Sequence, residues 1–272
     1  MRKAIVVSNR FMARLATAFM LFAGLAGAAL ASGVQEVGPR LALVIGNSDY
    51  RHAPKLLGSA ADADAMADAL RARGFKVTKA NNLEREAMLS LVAQFEQTLA
   101  ARGGIGVFFY SGHAAQVNGD EIMLPVEIGG ASGADIVKTG INLSQLRRSI
   151  TPPAGGSWRD NGSVTLYASS KGQVTLDSLP GQRNSPFTTA LLGALGQGSG
   201  DVPTVFERVR NSLEVAFRAP ALRDFKQTPD LSGRLNQEIF LNQPDRDPAG
   251  TLTRILFFDS DRSELSAGPV KR

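Results

Sequence analysis

The stretch "FFYSGHAAQ", residues 108–116, carries an apolar run into Ser111, Gly112 and His113, one of two histidines in a 272-residue chain that contains no cysteine. Residues 105–110 have no polar position that could face water on one side, so they read as a strand covered on both faces. His113 then stands three residues past Tyr110, at the mouth of that strand. A polar, titratable side chain placed there asks for a partner, and the flanking sequence has to supply one.

Upstream the same pattern repeats. Residues 41–45 are a second apolar run, closed by Gly46-Asn47. Residues 61–73 put Met66, Ala69 and Leu70 on one face of a helix that Gly74 ends. Residues 75–80 read as a strand, and in 84–101 Met88, Leu91, Val92, Phe95 and Leu99 fall on one helical stripe. Strands alternating with helices of this length imply a mostly parallel sheet with helices on both faces. In such sheets ligands gather beyond the carboxyl ends of the strands, where His113 stands.

Downstream, "QVNGDEIMLP" places Asn118-Gly119 between two short arms, a hairpin signal. Residues 143–150 read as a short helix, and "TPPAGGSWRDNG", with two prolines and three glycines, reads as a loop. Residues 164–169 form another strand. Ser185-Pro186 is an N-cap followed by proline at the first helical position, opening a helix through Leu195. Asp201 caps a further helix carrying Val205, Val209, Leu213 and Phe217 on one stripe. Residues 238–241 supply a last strand, "NQPDRDPAG" reads as a linker, and "TRILFFDSDRSEL" starts an apolar strand with little chain left to use it.

The first 31 residues stand apart. Arg2, Lys3, Arg10 and Arg14 precede an apolar, small-residue run over 15–30, and Ala29-Leu30-Ala31 is a small-x-small cleavage site, the pattern of a secretory signal peptide. The run is shorter than the ~20 residues a membrane span needs, so the expectation is export to the periplasm or medium without a stable membrane span. Taking the leader's four basic residues from 30 leaves 26 against 25 acidic ones. The high pI therefore belongs mostly to the leader, and neither charge nor aromatic interleaving argues for nucleic acid. The domain division is 1–31 leader, 38–242 one α/β domain, and 243–272 linker and incomplete tail. Phosphate-binding glycine loops are absent from the sequence, neither histidine has a second at metal-ligand spacing, and no cofactor or metal is expected.

"RLALVIGNSDY", "DADAMADALRARGFKV", "GVFFYSGHAAQVNGDEIMLPVE", "GQRNSPFTTALL", and "VFERVRNSLEVAF" followed by "QTPDLSG" together resemble, in order, the bacterial caspase-like peptidases, relatives of the metacaspases. The resemblance reaches about residue 241. It implies a three-layer caspase-like α/β fold with a mostly parallel central sheet flanked by helices. It also implies a cysteine-type endopeptidase ancestry, in which a cysteine–histidine dyad attacks the peptide carbonyl. His113 falls on the catalytic histidine position. Ser169, Gln173 and Asp177, within "ASSKGQVTLDS", fall on a segment that lines the substrate pocket, where Asp177 could select a basic side chain. A polar loop after a strand is the plainer reading of the same string.

The chain departs from the family where the cysteine should be. That residue should end a strand roughly 50 residues after the histidine, yet the region reads "SITPPAGGSWRDNGSV", with neither strand nor cysteine. The strand that would lie beside the histidine's strand, in mid-sheet, is deleted from its place. An unfilled slot exposes two ladder edges and a cavity, so the expectation is closure: residues 164–169 pair directly with 105–110, bringing Ser169 or Ser170 near His113.

Two functions follow from different classes. One is a pseudoenzyme, a caspase-like domain that binds a peptide or protein ligand without cutting it. The other is a serine hydrolase using Ser169 or Ser170 with His113, although no acidic residue evidently orients the ring. A truncated gene product is a third account. Ser111 lacks the G-x-S-x-G context of a nucleophile and reads as a turn residue. Asp62 and Asp64 read as carboxylates favoured at a helix start, and His52 as an exposed loop residue. The tail string faintly resembles the first strand of peptidoglycan-binding outer-membrane domains, but it is too short to complete one.

Overall fold

A computed structural model of the chain describes residues 38–117, 120–129, 133–143 and 158–260, with the backbone of 261–263. The leader, the Asn118-Gly119 turn, residues 144–150 of the short helix and residues 151–157 of the loop after it lie outside the described residues. In chain order the elements are β1 (Arg40–Gly46), α1 (Ser59–Arg71), β2 (Lys76–Asn81), α2 (Arg85–Arg102), β3 (Gly104–Val117), β4 (Asp120–Met123), α3 (Gly133–Thr139), β5 (Ile141–Asn142) and β6 (Arg159–Tyr167). They continue with α4 (Pro186–Gly196), α5 (Val202–Ala216), β7 (Asp230–Leu235), a 3₁₀ turn (Pro244–Arg246) and β8 (Thr251–Ser263).

One sheet runs through the described residues in the order β2-β1-β3-β8-β6-β7. The pairs β1–β2, β1–β3, β3–β8 and β8–β6 are parallel, and β6–β7 is antiparallel. The continuous apolar runs have the expected cause. Ala42, Val44, Val107 and Phe109 turn toward a core shared with α1, α4 and α5. Leu41, Leu43, Ile45, Phe108 and Tyr110 turn toward Met88, Val92 and Leu99 of α2. Every second side chain is buried on the opposite face, so no position can be polar without a partner. The caps behave as their residue types dictate: Ser185 Oγ accepts from Thr188 N at 2.9 Å, and Asp201 Oδ1 accepts from Thr204 N at 3.0 Å.

The slot beside the histidine's strand is not closed by β6. It is filled by β8, which pairs with β3 from Gly104↔Leu252 to Ala115↔Ser263 and with β6 from Arg159↔Thr251 to Tyr167↔Phe258. The expected pairing of 164–169 with 105–110 therefore does not occur. The segment read as an unused tail is a central strand of the sheet, and only 243–250 acts as a connector. The reason is burial. Leu252, Ile255, Leu256, Phe257 and Phe258 are each at most 1% exposed, and an apolar strand with two free edges in reach gains more by entering the sheet than by remaining in water.

The connector is pinned. Arg40 Nε donates to Asp247 Oδ2 at 2.7 Å, and its other nitrogens donate to the carbonyls of Arg73, Phe240 and Leu241 at 2.6–2.9 Å. Two further expectations change. β3 does not stop at Tyr110 but continues to Val117, its outer part pairing antiparallel with β4 (Ala114↔Met123), so His113 lies within a strand. And 238–241 contributes only an isolated bridge, Asp201↔Phe240, while the strand after α5 is β7.

Candidate functional site

The outer half of β3 stands over a small satellite core of Tyr50, Leu56, Ala115, Val117, Ile122, Leu124, Ile128 and Ile136. That packing fixes His113. Its backbone N–H donates to Tyr50 Oη at 2.8 Å, and its carbonyl accepts from Tyr110 Oη at 2.8 Å and from Leu124 N at 3.0 Å. The ring lies 4.5 Å from the Tyr50 ring, and Nε2 is 2.8 Å from the Pro54 carbonyl oxygen. A carbonyl only accepts, so the proton of this bond sits on Nε2. The ring is thus oriented by a backbone carbonyl of the β1–α1 loop, a partner that no residue type in the sequence announces.

One step inward on the same face of β3 is a buried polar cluster that sequence reasoning missed. Asp62 of α1 is fully buried; its carboxylate accepts from Asn184 Nδ2 at 2.8 Å, Ser185 N at 3.0 Å and Ser111 Oγ at 3.2 Å. Asp259 of β8, in register with Ser111, accepts from Ser185 Oγ at 2.5 Å and Thr188 Oγ1 at 2.9 Å. The two carboxyls also hydrogen-bond to each other. Burial pushes Asp62 up to about 6, against the hydrogen bonds from Asn184 and Ser185 that favour its ionised form. Burial, and then the charge of Asp62, hold Asp259 well above the usual carboxylate range. Two carboxyls in direct contact out of water cannot both ionise, so the pair shares a proton.

The other expected site residues take structural partners. Asp177 accepts from Leu57 N at 2.6 Å and from Gly58 N at 3.1 Å, capping the start of α1, whose own N-cap residue, Gly58, has no side chain to do so. A Cβ on Gly58 would come 2.4 Å from the Asp177 carbonyl oxygen, so the close approach requires glycine. Ser169 is buried, donating to the Gln173 carbonyl at 3.3 Å and accepting from Thr175 Oγ1 at 3.0 Å. Ser170 donates to the Thr228 carbonyl at 3.0 Å, and Gln173 Oε1 accepts from Thr228 N at 2.7 Å. With β8 interposed, the strand that leads into Ser169 and Ser170 lies two strand spacings, about 10 Å, from β3, and the structure does not bring either serine to His113. Asp64 pairs with Lys79 at the surface, and His52 is exposed. Asn184 and Asp64 also line a cleft of about 510 Å³ with Lys79 and Arg183.

Asp259 had no legible signal, because a lone acid after an apolar run in a tail reads as a strand terminus. Asp62 did have one: an acid in the first turn of a helix that faces a sheet, rather than water, needs partners from outside its own helix.

The sequence pattern described as the caspase domain matches residues 39–154 and 156–240 of this chain. The human mucosa-associated lymphoid tissue lymphoma translocation protein 1 is 34% identical over 88 residues, which is 32% of this chain and 11% of that protein. Its mouse homologue is 33% identical over 88 residues, 32% of this chain and 10% of that protein. The chain thus spans about a tenth of the length of the curated relatives it matches. Among solved structures, the Drosophila initiator caspase Dronc superposes with a TM-score of 0.56 at 11% identity, covering 81% of this chain and 90% of that one. Pro-sf-caspase-1 superposes with a TM-score of 0.57 at 16% identity, covering 76% and 96%. The sheet, its flanking helices and the ordered motifs agree: this chain belongs to the caspase-domain family.

Proposed function

We propose that this is a non-catalytic caspase-like domain, exported from the cell, that binds an extended peptide or protein segment near His113 without cleaving it. The observation that carries this reading is the pairing of an oriented histidine with a strand that lacks a thiol. His113 is held in place by Pro54 and Tyr50. The strand beside it, β8, runs Phe258-Asp259-Ser260-Asp261 in register with Tyr110 to His113, and the chain has no cysteine to offer as nucleophile. A carboxylate is a weak nucleophile toward an amide, and hydroxyl attack needs a base within hydrogen-bond reach.

The test is twofold. Purified chain incubated with fluorescein-labelled casein releases no soluble fluorescence, while fluorescein-labelled ten-residue peptides of defined sequence show saturable anisotropy that weakens several-fold in His113→Ala. Casein hydrolysis that co-purifies with the chain through successive columns overturns the non-catalytic reading. Flat anisotropy across the peptide set overturns the binding reading.

A further inference from the structure

The Asp62–Asp259 pair plays no part in the function proposed above. It joins two segments that arrive in the fold by different routes: α1, adjacent to β1 in sequence, and β8, which enters the middle of the sheet from the far end of a pinned connector. We propose that this carboxyl pair is a proton-operated latch for β8, seating the outer half of the strand while a proton is shared and releasing it when that proton is lost.

The geometry supplies the argument. β8 is held between β3 and β6 by main-chain pairing and apolar packing as far as Phe258; beyond it the pairing with β6 ends and the ladder with β3 continues alone to Ser263. Beyond that point its side-chain anchor is Asp259, 4% exposed, whose partners are Ser185 Oγ, Thr188 Oγ1 and Asp62. The groups facing the pair can be taken element by element. Strand β3 offers Ser111, a hydroxyl, and one step outward His113, whose ring is engaged by Pro54 and Tyr50. The approach to α4 offers Asn184 and Ser185, and α4 itself Thr188. Asp64, two residues from Asp62, pairs with Lys79 at the surface, and Arg183 and Lys171 are exposed; along β8 the next charged positions after Asp259 are Asp261 and Arg262, whose side chains lie outside the described residues. Among the described residues the groups bonded to the two carboxyls are neutral, so within that set a proton is what neutralises the pair. Asn184 both bonds Asp62 and lines the 510 Å³ cleft, which brings solvent to within one side chain of it.

The sign follows from linkage. Both carboxyls are raised in the folded state, Asp62 to about 6. Seated β8 therefore holds protons that released β8 gives up, and its stability is complete below the ordinary carboxyl range and falls as pH rises. Each extra proton held makes release about tenfold more favourable per pH unit.

Amide hydrogen exchange on the full chain between pH 5 and 8, corrected for the intrinsic pH dependence of exchange, reads this directly. The expected result is a loss of protection at residues 256–260 of about tenfold per pH unit as the pH rises to about 6, with β1 unchanged, and a shallower profile in Asp259→Asn, which leaves the buried Asp62 alone to titrate. Protection at 256–260 that is independent of pH, or an equal slope in Asp259→Asn, overturns the latch. Should Asp259→Asn not fold, carboxyl ¹³C shifts of the wild-type chain decide: one aspartate still protonated at pH 5 supports the proposal, and all aspartates ionised by pH 5 overturn it.

Discussion

Arg40, the first residue of β1, and Asp247, in the connector that delivers β8, form an ion pair at 2.7 Å with both side chains at most 5% exposed. The guanidinium also satisfies three carbonyls, so the pair ties the start of the domain to the chain just before its last strand. Removing one partner leaves a buried charge unpaired. Arg40→Ala or Asp247→Ala is expected to cost about 3–5 kcal/mol in urea unfolding, and Arg40→Met with Asp247→Leu considerably less than the sum of the two. Additive losses in the double variant would show that the pair is not coupled.

Deleting β8 should abolish the fold. Five side chains, Leu252, Ile255, Leu256, Phe257 and Phe258, are essentially fully buried, and at about 1.5–3 kcal/mol each they contribute roughly 7–15 kcal/mol, as much as the net stability of a whole domain. A chain ending at residue 248 is expected to lose its near-ultraviolet circular dichroism and to bind anilinonaphthalene sulfonate, and a synthetic 249–263 peptide to restore the signal. Cooperative unfolding of the truncated chain without that peptide would contradict a central role for β8.

Ser185 works twice: its Oγ accepts from Thr188 N to cap α4 and donates to Asp259. Losing a cap costs about 1 kcal/mol, and stranding a buried carboxyl partner about 1–3 more. Ser185→Ala is expected to lower stability by roughly 2–4 kcal/mol in thermal or urea unfolding, and Ser185→Thr to recover most of it. A loss no larger than that of Asp201→Ala, which removes the α5 cap together with its bond from Thr204 Oγ1, would argue that the bond to Asp259 contributes nothing.

Register sets His113 opposite Asp261. If β8 occupies the slot of the nucleophile strand, Asp261→Cys introduces a sulfur at the strand position paired with His113, and a neighbouring base lowers thiol pKa. Its alkylation by iodoacetamide at pH 6.5 should be about tenfold faster than that of Ser212→Cys on the exposed face of α5, and should fall to that level when His113→Ala is added. Equal rates in all three variants would show that position 261 is not the nucleophile position.

The elements whose side chains face both ways into the core were legible because burial writes itself into composition. Residues 41–45 and 105–110 could be nothing but inner strands, and the stripe of Val205, Val209 and Leu213 could only be a helix facing the sheet. Ser185-Pro186 and Asp201 announced their helices because capping is local chemistry, with acceptor and donor three residues apart. The last strand was misplaced for the opposite reason. "DLSGRL" turns only Leu231 and Leu235 toward the core, with Gly233 at φ +96 between them, too short and too exposed a pattern to announce a strand, and its pairing with β6 is made by main-chain bonds that any residue can make.

Taken alone, the sequence determined which segments are apolar enough to be inner strands, that a histidine follows the apolar part of one of them, and that no thiol exists to serve it. Only the tertiary structure decided which strand fills the place beside that histidine, that the Pro54 carbonyl orients its ring, and that Asp62 and Asp259 meet. Hydrophobic periodicity records whether a side chain is buried, not against what. Strand neighbours are joined by backbone groups common to every residue, and a shared proton depends on a distance in space that no spacing along the chain encodes.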